Sequence, residues 1–303
     1  MDILSGTVAA LRTGTPASGL FVRHAPWGRE YPVVPGVGFH IVVEGACWLS
    51  APGVNPMRLA TGDVLFMPRG TAHVVADDPD TPVSEVAKVG EPREIPGPGA
   101  RTTLLCGAYE MCRARSHPLL DQLPDFLHLP ADSGRSPDLR AAVDLLLGEL
   151  TRPRPGSDAA VPALLDTLLL FILRSWYDRQ PDNSGWAGAF ADSAVSAALR
   201  AIHDEPARAW TVPALSALAG VSRATLARRF TTTVGEAPLS YLTRWRMLTA
   251  ARLLRETDLP IAAIAHRVGY GSEFAFAKAF KREFAVAPGR YRHAEEPTPV
   301  LAV

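Results

Sequence analysis

Apolar positions fall into two rhythms along the chain. Up to about residue 130, short apolar runs such as "GFHIVVEGACWLS" and "GDVLFMPRGTAHVVAD" are cut by glycine and proline, the pattern of short strands in an all-β barrel or sandwich. Beyond Pro137 leucines recur at i, i+3, i+4 and i+7. The stretches "LRAAVDLLLGEL" and "VPALLDTLLLFILRSWYDR" predict two amphipathic helices joined by the loop "TRPRPGSDAA". Both carry more apolar positions than one packing face needs, so they are expected to lie against the β part, to form a dimer interface, or both. The segment "QPDNSGWAG" reads as a linker, and from residue 190 onward the pattern is wholly helical.

Composition adds limits. A chain of 303 residues, 47% of them apolar, has room for two packed domains at roughly 100–200 residues each. The most apolar stretch, "LLDTLLLFILRSWY", is interrupted by Asp166 and Arg174, and the N-terminus lacks the basic-then-apolar order of a signal peptide. A cytoplasmic protein without a membrane partner is expected. Cys47, Cys106 and Cys112 include no C-x-x-C pair, so reduced thiols are expected as well. The net charge of zero hides an asymmetry: residues 192–293 hold 15 Lys and Arg against 8 Asp and Glu, while residues 1–191 hold 16 against 21. A basic C-terminal part suits a phosphate backbone, or a solvated basic face.

Within that basic part the chain repeats itself. Phe230, Ala237-Pro238 and Tyr241 recur as Phe280, Ala287-Pro288 and Tyr291, each displaced by fifty. Upstream of each phenylalanine stands a short helix, "VPALSALAG" or "IAAIAHRVG", in which a small residue precedes a glycine by four: Ser216 and Gly220, Ala265 and Gly269. Two helices crossing at roughly 90–120° through a short turn need a small side chain at the crossing and a turn residue that accepts positive φ. Ser222 and Ser272 then stand where an N-cap is required. In the helix that follows, Leu226 and Phe230, or Phe276 and Phe280, face inward four residues apart. The outward face carries Arg223, Thr225, Arg228 and Arg229 in the first copy and Glu273, Lys278, Lys281 and Arg282 in the second. Arginine can donate two bonds to guanine, glutamate can accept from cytosine and lysine neutralises phosphates, so these are the expected DNA-binding residues. Between the copies residues 239–256 read as one helix, about 27 Å long, able to hold two reading heads about one DNA turn apart, roughly 34 Å.

Residues 195–292 resemble the paired helix-turn-helix domain of the AraC/XylS transcription regulators. The second copy, "IAAIAHRVGYGSEFAFAKAFKREFAVAPGRYR", is similar to that family's signature, G-Y-x-S near the turn through F-K to P-x-x-Y-R. It departs at Phe274, where the family usually has a small polar residue, at Lys278, where arginine is usual, and at Ala285, where glycine is usual. The last departure implies a slightly different helix end.

The N-terminal stretches "GFHIVVEG" and "TGDVLFMPRGTAHVVAD" resemble the two motifs of cupin barrels: the second keeps Gly62, Pro68, Gly70 and His73, and the first keeps His40 and Glu44 but has Gly38 where a first histidine would stand. If 38–44 is a strand, His40, Val42 and Glu44 share one face, and His73 on a facing strand can join them. Two imidazoles and a carboxylate are compatible with a divalent transition metal such as Fe(II) or Zn(II); an effector pocket without metal and a purely structural role are the alternatives. Residues 1–190 as a whole resemble the cupin-type sensor half found in a subgroup of AraC-type regulators, which implies a ligand-responsive, dimerising module. Cys106 reads as a small buried hydrophobe, and Cys112 lies near Arg113 and Arg115, which favour a thiolate. Some relatives of this subgroup respond to oxidants, so both cysteines are redox candidates.

These features imply an α+β multidomain chain. An N-terminal all-β cupin-like barrel over 1–130 is flanked by a helical dimerisation segment over 131–182; a linker, 183–192, leads to an all-α domain of two helix-turn-helix subdomains, 193–293, and a flexible tail, 294–303. The implied function is a homodimeric, sequence-specific transcription regulator and not an enzyme, with double-stranded promoter DNA, RNA polymerase and an unidentified small-molecule or redox signal as partners. The rival is a metal-dependent cupin enzyme, an isomerase or dioxygenase, with an appended DNA-binding module; it rests on His40, Glu44 and His73 alone.

Overall fold

The structure, a computed structural model, describes residues 2–11, 16–34, 36–87, 93–109, 117–131, 137–180 and 185–293. Strands are β1 (Ala17–His24), β2 (Gly28–Tyr31), β3 (Val37–Glu44), β4 (Ala46–Ala51), β5 (Val54–Ala60), β6 (Val64–Met67), β7 (His73–Ala76), β8 (Glu85–Val86), β9 (Glu94–Ile95), β10 (Arg101–Tyr109) and β11 (Leu127–Leu129). Helices are α1 (Ile3–Leu11), α2 (Pro118–Asp121), α3 (Pro137–Thr151), α4 (Ser157–Tyr177), α5 (Gly185–Ala191), α6 (Ser193–Asp204), α7 (Val212–Leu218), α8 (Arg223–Val234), α9 (Pro238–Glu256), α10 (Ile261–Arg267), α11 (Glu273–Phe284) and α12 (Pro288–Arg292). They form two compact units, a β unit built from Gly14–Met111 and Leu123–Trp176 and a helical unit built from Met1–Thr13, Cys112–Gln122 and Tyr177–Glu296.

In the β unit two sheets are ordered β11-β6-β3-β10-β1-β9 and β5-β4-β7-β2-β8. The period-two alternation of each strand sends Phe21, Val42, Leu49, Leu65, Val75 and Leu104 into one shared core with Trp27 and Leu59. β3 is buried on both faces from Val37 to Val42, so its run reads as continuously apolar. On the outer face Tyr109 of β10 donates its hydroxyl hydrogen to the Leu165 carbonyl of α4 at 2.5 Å. By length and composition alone α4 is apolar enough to cross a membrane, yet its Leu165, Leu168, Leu169, Ile172 and Leu173 are buried in the fold.

The helical unit differs in extent from the sequence reading. Residues 3–11 and 118–121 form α1 and α2 of this unit, although the chain up to 130 was expected to serve the barrel, and α1 packs on α6 and α9. Residues 185–191, expected inside a linker, are helix α5. Trp186 and Phe190 lie four apart on one helical face, Trp186 is fully buried, and α5 packs against α8; burial of the indole outweighs the helix-breaking tendency of the neighbouring glycines. The expected tail, 294–303, lies outside the described residues.

Candidate nucleic-acid interface and sensor site

α7 and α8 form one helix-turn-helix, α10 and α11 the other, and α9 separates them. Gly220 and Gly269 hold the turns with φ of 67° and 81°, and Ser216 and Ala265 are buried at the crossings. At Gly269 the lack of a side chain is required twice over, because a Cβ would stand 2.7 Å from the Ala207 carbonyl oxygen and 2.8 Å from Arg246 Nη2. At Gly220 nothing lies within 4 Å, so only the sign of φ calls for glycine. Each reading helix then starts on a serine: Ser222 Oγ accepts from the Thr225 amide and Ser272 Oγ from the Ala275 amide, both at 3.2 Å. These caps satisfy amides that the first turn leaves unpaired and fix the direction in which each helix leaves its turn.

Leu226, Phe230 and Val234 of α8 and Phe276, Phe280 and Phe284 of α11 are buried. Arg223, Arg228, Arg229, Glu273, Lys278, Lys281 and Arg282 are exposed. Thr225 is half-buried, and its hydroxyl lies 2.9 Å from Ser222 Oγ, turned toward the cap. Arg229 is engaged within the unit: its Nη1 lies 3.2 Å from Asp192 Oδ2, while Asp192 Oδ1 caps α6 by accepting from the Ala194 and Val195 amides. α8 ends on Gly235 with φ of 90°, and α11 ends on Ala285, which takes the same left-handed conformation with φ of 61° despite its Cβ.

A second contact reaches α8 from the segment ahead of α5. Gln122 accepts from the Trp186 amide at 2.9 Å and donates to the Thr233 carbonyl near the end of α8 at 3.2 Å. Gly185 permits this approach, since a Cβ there would overlap the Gln122 amide. Nearby His117 is buried, its ring 5.4 Å from Trp186 and 5.7 Å from Tyr241, and burial, with the charges of His203 and Arg244 adding to it, holds the imidazole well below its ordinary pKa. Gln122 and His117 carried no role in the sequence, where an isolated glutamine or histidine has no periodicity.

In the β unit the structure brings His40, His73 and Cys106 together. His73 Nδ1 lies 2.7 Å from the Thr71 carbonyl oxygen, which can only accept, so that nitrogen carries a proton. Burial lowers His73 to about 4, and burial with the charges of His73 and Arg29 lowers His40 well below 6.5, so both rings are neutral at pH 7. His73 Nε2 must then accept from His40 Nε2, 2.7 Å away, which leaves His40 Nδ1 bare toward the Cys106 thiol at 3.0 Å. A directed relay results, from Cys106 through His40 and His73 to Thr71. Tyr31 closes it, its ring stacked on His73 at 4.9 Å and its hydroxyl 3.6 Å from Cys106 Sγ. Tyr31 and Thr71 escaped the sequence reading. Cys106, treated there apart from the pocket, faces His40 across the β3–β10 pair. Cys47 is buried in the same core, its thiol pushed up to about 12 by burial first and by Cys106 next, and Cys112 lies outside the described residues.

Glu44 does not join the cluster, which corrects the expected metal triad. Thr103 pairs with Glu44 but Leu104 with Val42, so Val43 is an extra residue that resets the alternation and turns Glu44 outward. Glu44 is exposed, paired with Arg101 and 3.3 Å from Thr103 Oγ1. His40 spends opposite ring nitrogens on His73 and Cys106, and one cation can take only one of them. Among the described residues no group of three His, Cys, Asp or Glu could hold a metal ion. Beside the cluster is a pocket lined by Tyr31, His40, Met67, Thr71 and His73 among others, of about 20 Å³, room for about one water.

A two-sheet β unit and a duplicated, serine-capped helix-turn-helix on one chain define a DNA-binding transcription regulator. A cupin family profile matches residues 2–178 and a helix-turn-helix domain profile matches 215–294. An AraC-like transcription regulator of Streptomyces lividans is 38% identical over 96% of this chain and 98% of its own length, and the HTH-type transcriptional regulator MtrA of Neisseria gonorrhoeae 30% over the same shares. The RCS-specific HTH-type transcriptional activator RclR of Escherichia coli is 28% identical over 90% of this chain and 92% of its own. Among solved structures the DNA-binding domain of AdpA, in complex with a target DNA, is 34% identical over 33% of this chain and 90% of that one, with a TM-score of 0.32. The chain belongs to the AraC-like transcription regulators. These relatives are regulators, and the enzyme alternative is set aside.

Proposed function

We propose that α8 and α11 enter the major groove of double-stranded promoter DNA, α8 through Arg223, Thr225, Arg228 and Arg229 and α11 through Glu273, Lys278, Lys281 and Arg282, and that the His40–His73–Cys106 cluster receives the signal. The observation that carries the DNA half is the pair of serine-capped helices with basic outward stripes on either side of a helix of 19 residues, about 28 Å. Such a pair suits successive major grooves on one side of a duplex. A homodimer formed through α3 and α4 would carry four reading helices, matching tandem or inverted sites. Contact with RNA polymerase is the mode of output that the family resemblance implies.

The sensing half rests on the relay. His40 Nδ1, neutral and facing the thiol, is positioned to take the Cys106 proton as the sulfur attacks an oxidant. A hydroperoxide or hypohalous acid gives its terminal hydroxyl to sulfur as the O–O or O–halogen bond breaks; the thiol becomes a sulfenic acid, and the proton taken up by His40 passes to the departing alkoxide or hydroxide or accompanies the halide. The RCS-specific name of one relative supports an oxidant as the signal. So does the narrowness of the pocket, which has room for about one water beside His40 and His73. A small-molecule effector is the second reading, favoured by the pocket's place beside His40 and His73; it requires the lining side chains to move.

The test uses the full chain and a duplex selected by it from a randomised pool. Hypochlorite or hydrogen peroxide is expected to change the affinity of the wild-type chain and to leave Cys106→Ser unmoved; an equal change in both removes Cys106 as the sensor. Arg228→Ala is expected to cost about 1–3 kcal/mol and to relax the preference at one base pair, whereas equal loss on every sequence would make Arg228 a phosphate contact.

A further inference from the structure

Phe274 is the most exposed large hydrophobic side chain among the described residues, at 81%. It does not belong to the packing face of α11, which buries Phe276, Ala279, Phe280 and Phe284. It stands in the first turn of that helix, one residue ahead of Ala275, whose amide is held by the Ser272 cap. Lys278 and Lys281 follow at i+4 and i+7, both exposed, so the ring leads the same stripe as the two lysines. The ring therefore sits on the stripe that faces DNA, at the end of the reading helix that comes nearest the base edges. In the first head the position fifty residues earlier is Ala224, also exposed but with a single methyl group of reach.

A large apolar group on such a stripe has few chemical partners. Base edges in the major groove offer donors and acceptors throughout, with one apolar exception, the 5-methyl group of thymine. Phosphate oxygens give an aromatic ring nothing to replace its contact with water. We propose that Phe274 is a specificity-determining residue of the second reading head, packing its ring against the methyl group of one thymine. This rests on the DNA-reading role of α11 and adds to it a base and a position. The two heads then read unequally, the second demanding a thymine that Ala224 of the first reaches less far to meet.

The experiment isolates the methyl group. The full chain selects a preferred duplex from a randomised pool, and each thymine of that duplex is then replaced singly by deoxyuridine, which pairs identically but lacks the methyl. One replacement is expected to weaken the wild-type chain about fourfold, the factor carried by burying one methyl group. Phe274→Ala is expected to bind the thymine and deoxyuridine duplexes alike at that position, and Phe274→Leu, which keeps an apolar group, to retain part of the difference. The proposal is overturned if no thymine shows this dependence on Phe274, or if Phe274→Ala loses affinity equally for every duplex. A wild-type chain that enriches no sequence at all would overturn it together with the DNA-reading role of α11, an outcome distinct from either.

Discussion

Arg229 is held by Asp192, so the proposed contact of Arg229 with DNA would make DNA and Asp192 compete for one guanidinium. The informative perturbation is Asp192→Asn. Asparagine caps a helix about as well as aspartate, and its side-chain oxygen can keep accepting from the Ala194 and Val195 amides, so α6 is expected to persist. What is lost is the charge facing Arg229 at 3.2 Å, in a pair whose side chains are 46% and 21% exposed. A pair that open to solvent is worth at most about 1 kcal/mol, so releasing Arg229 tightens DNA binding by up to about fivefold. Fluorescence anisotropy on a labelled, selected duplex near physiological ionic strength reads this directly. The gain should vanish in the Arg229→Gln background, where Asp192→Asn frees nothing; that double-mutant cycle separates competition from a general loss of negative charge. Unchanged or weaker binding by Asp192→Asn, with the melting transition intact, would refute the competition, and an equal gain in both backgrounds would leave only a long-range charge effect.

Gly220→Ala and Gly269→Ala should differ in cost although both sit in left-handed turns. The backbone alone costs about 1–2 kcal/mol at either, and Gly269→Ala adds overlap with the Ala207 carbonyl; urea midpoints of the full chain should fall further for Gly269→Ala, and equal shifts would contradict the described turn. Ala285→Gly should stabilise by roughly 1 kcal/mol, because glycine meets the left-handed helix end without strain, and a lowered midpoint would count against it. Acid should weaken the β unit through His73. Its folded pKa of about 4 lies below the ordinary 6.5, so the unfolded chain binds more protons in between; this contribution is complete above pH 6.5 and is lost as pH falls toward 4, about 3 kcal/mol in all. His73→Gln should flatten that part of the pH profile, and an unaltered slope would show that His73 does not set it.

The helix-turn-helix geometry was legible in the sequence because each of its demands falls on a residue type with few substitutes. A left-handed turn calls for Gly220 and Gly269, a tight crossing for Ser216 and Ala265, and a cap for Ser222 and Ser272, and all six occupy those positions. Alternation also located most strand faces. It failed at Glu44, where one inserted residue, Val43, inverts the face without any change in composition. It could not place Cys106 opposite His40 either, since strand pairing over 66 residues leaves no local trace. α5 was hidden for a different reason: glycine and asparagine suggested a linker, and the signal that outweighed them was the spacing of Trp186 and Phe190, visible only once a burial partner is supplied.

Gln122 is the last residue of its segment in the helical unit, and the next, Leu123, already belongs to the β unit. Its one amide ties the start of α5 to the far end of α8. A single side chain thus pins two helix ends of the helical unit to one point of the chain, so that losing it releases both at once.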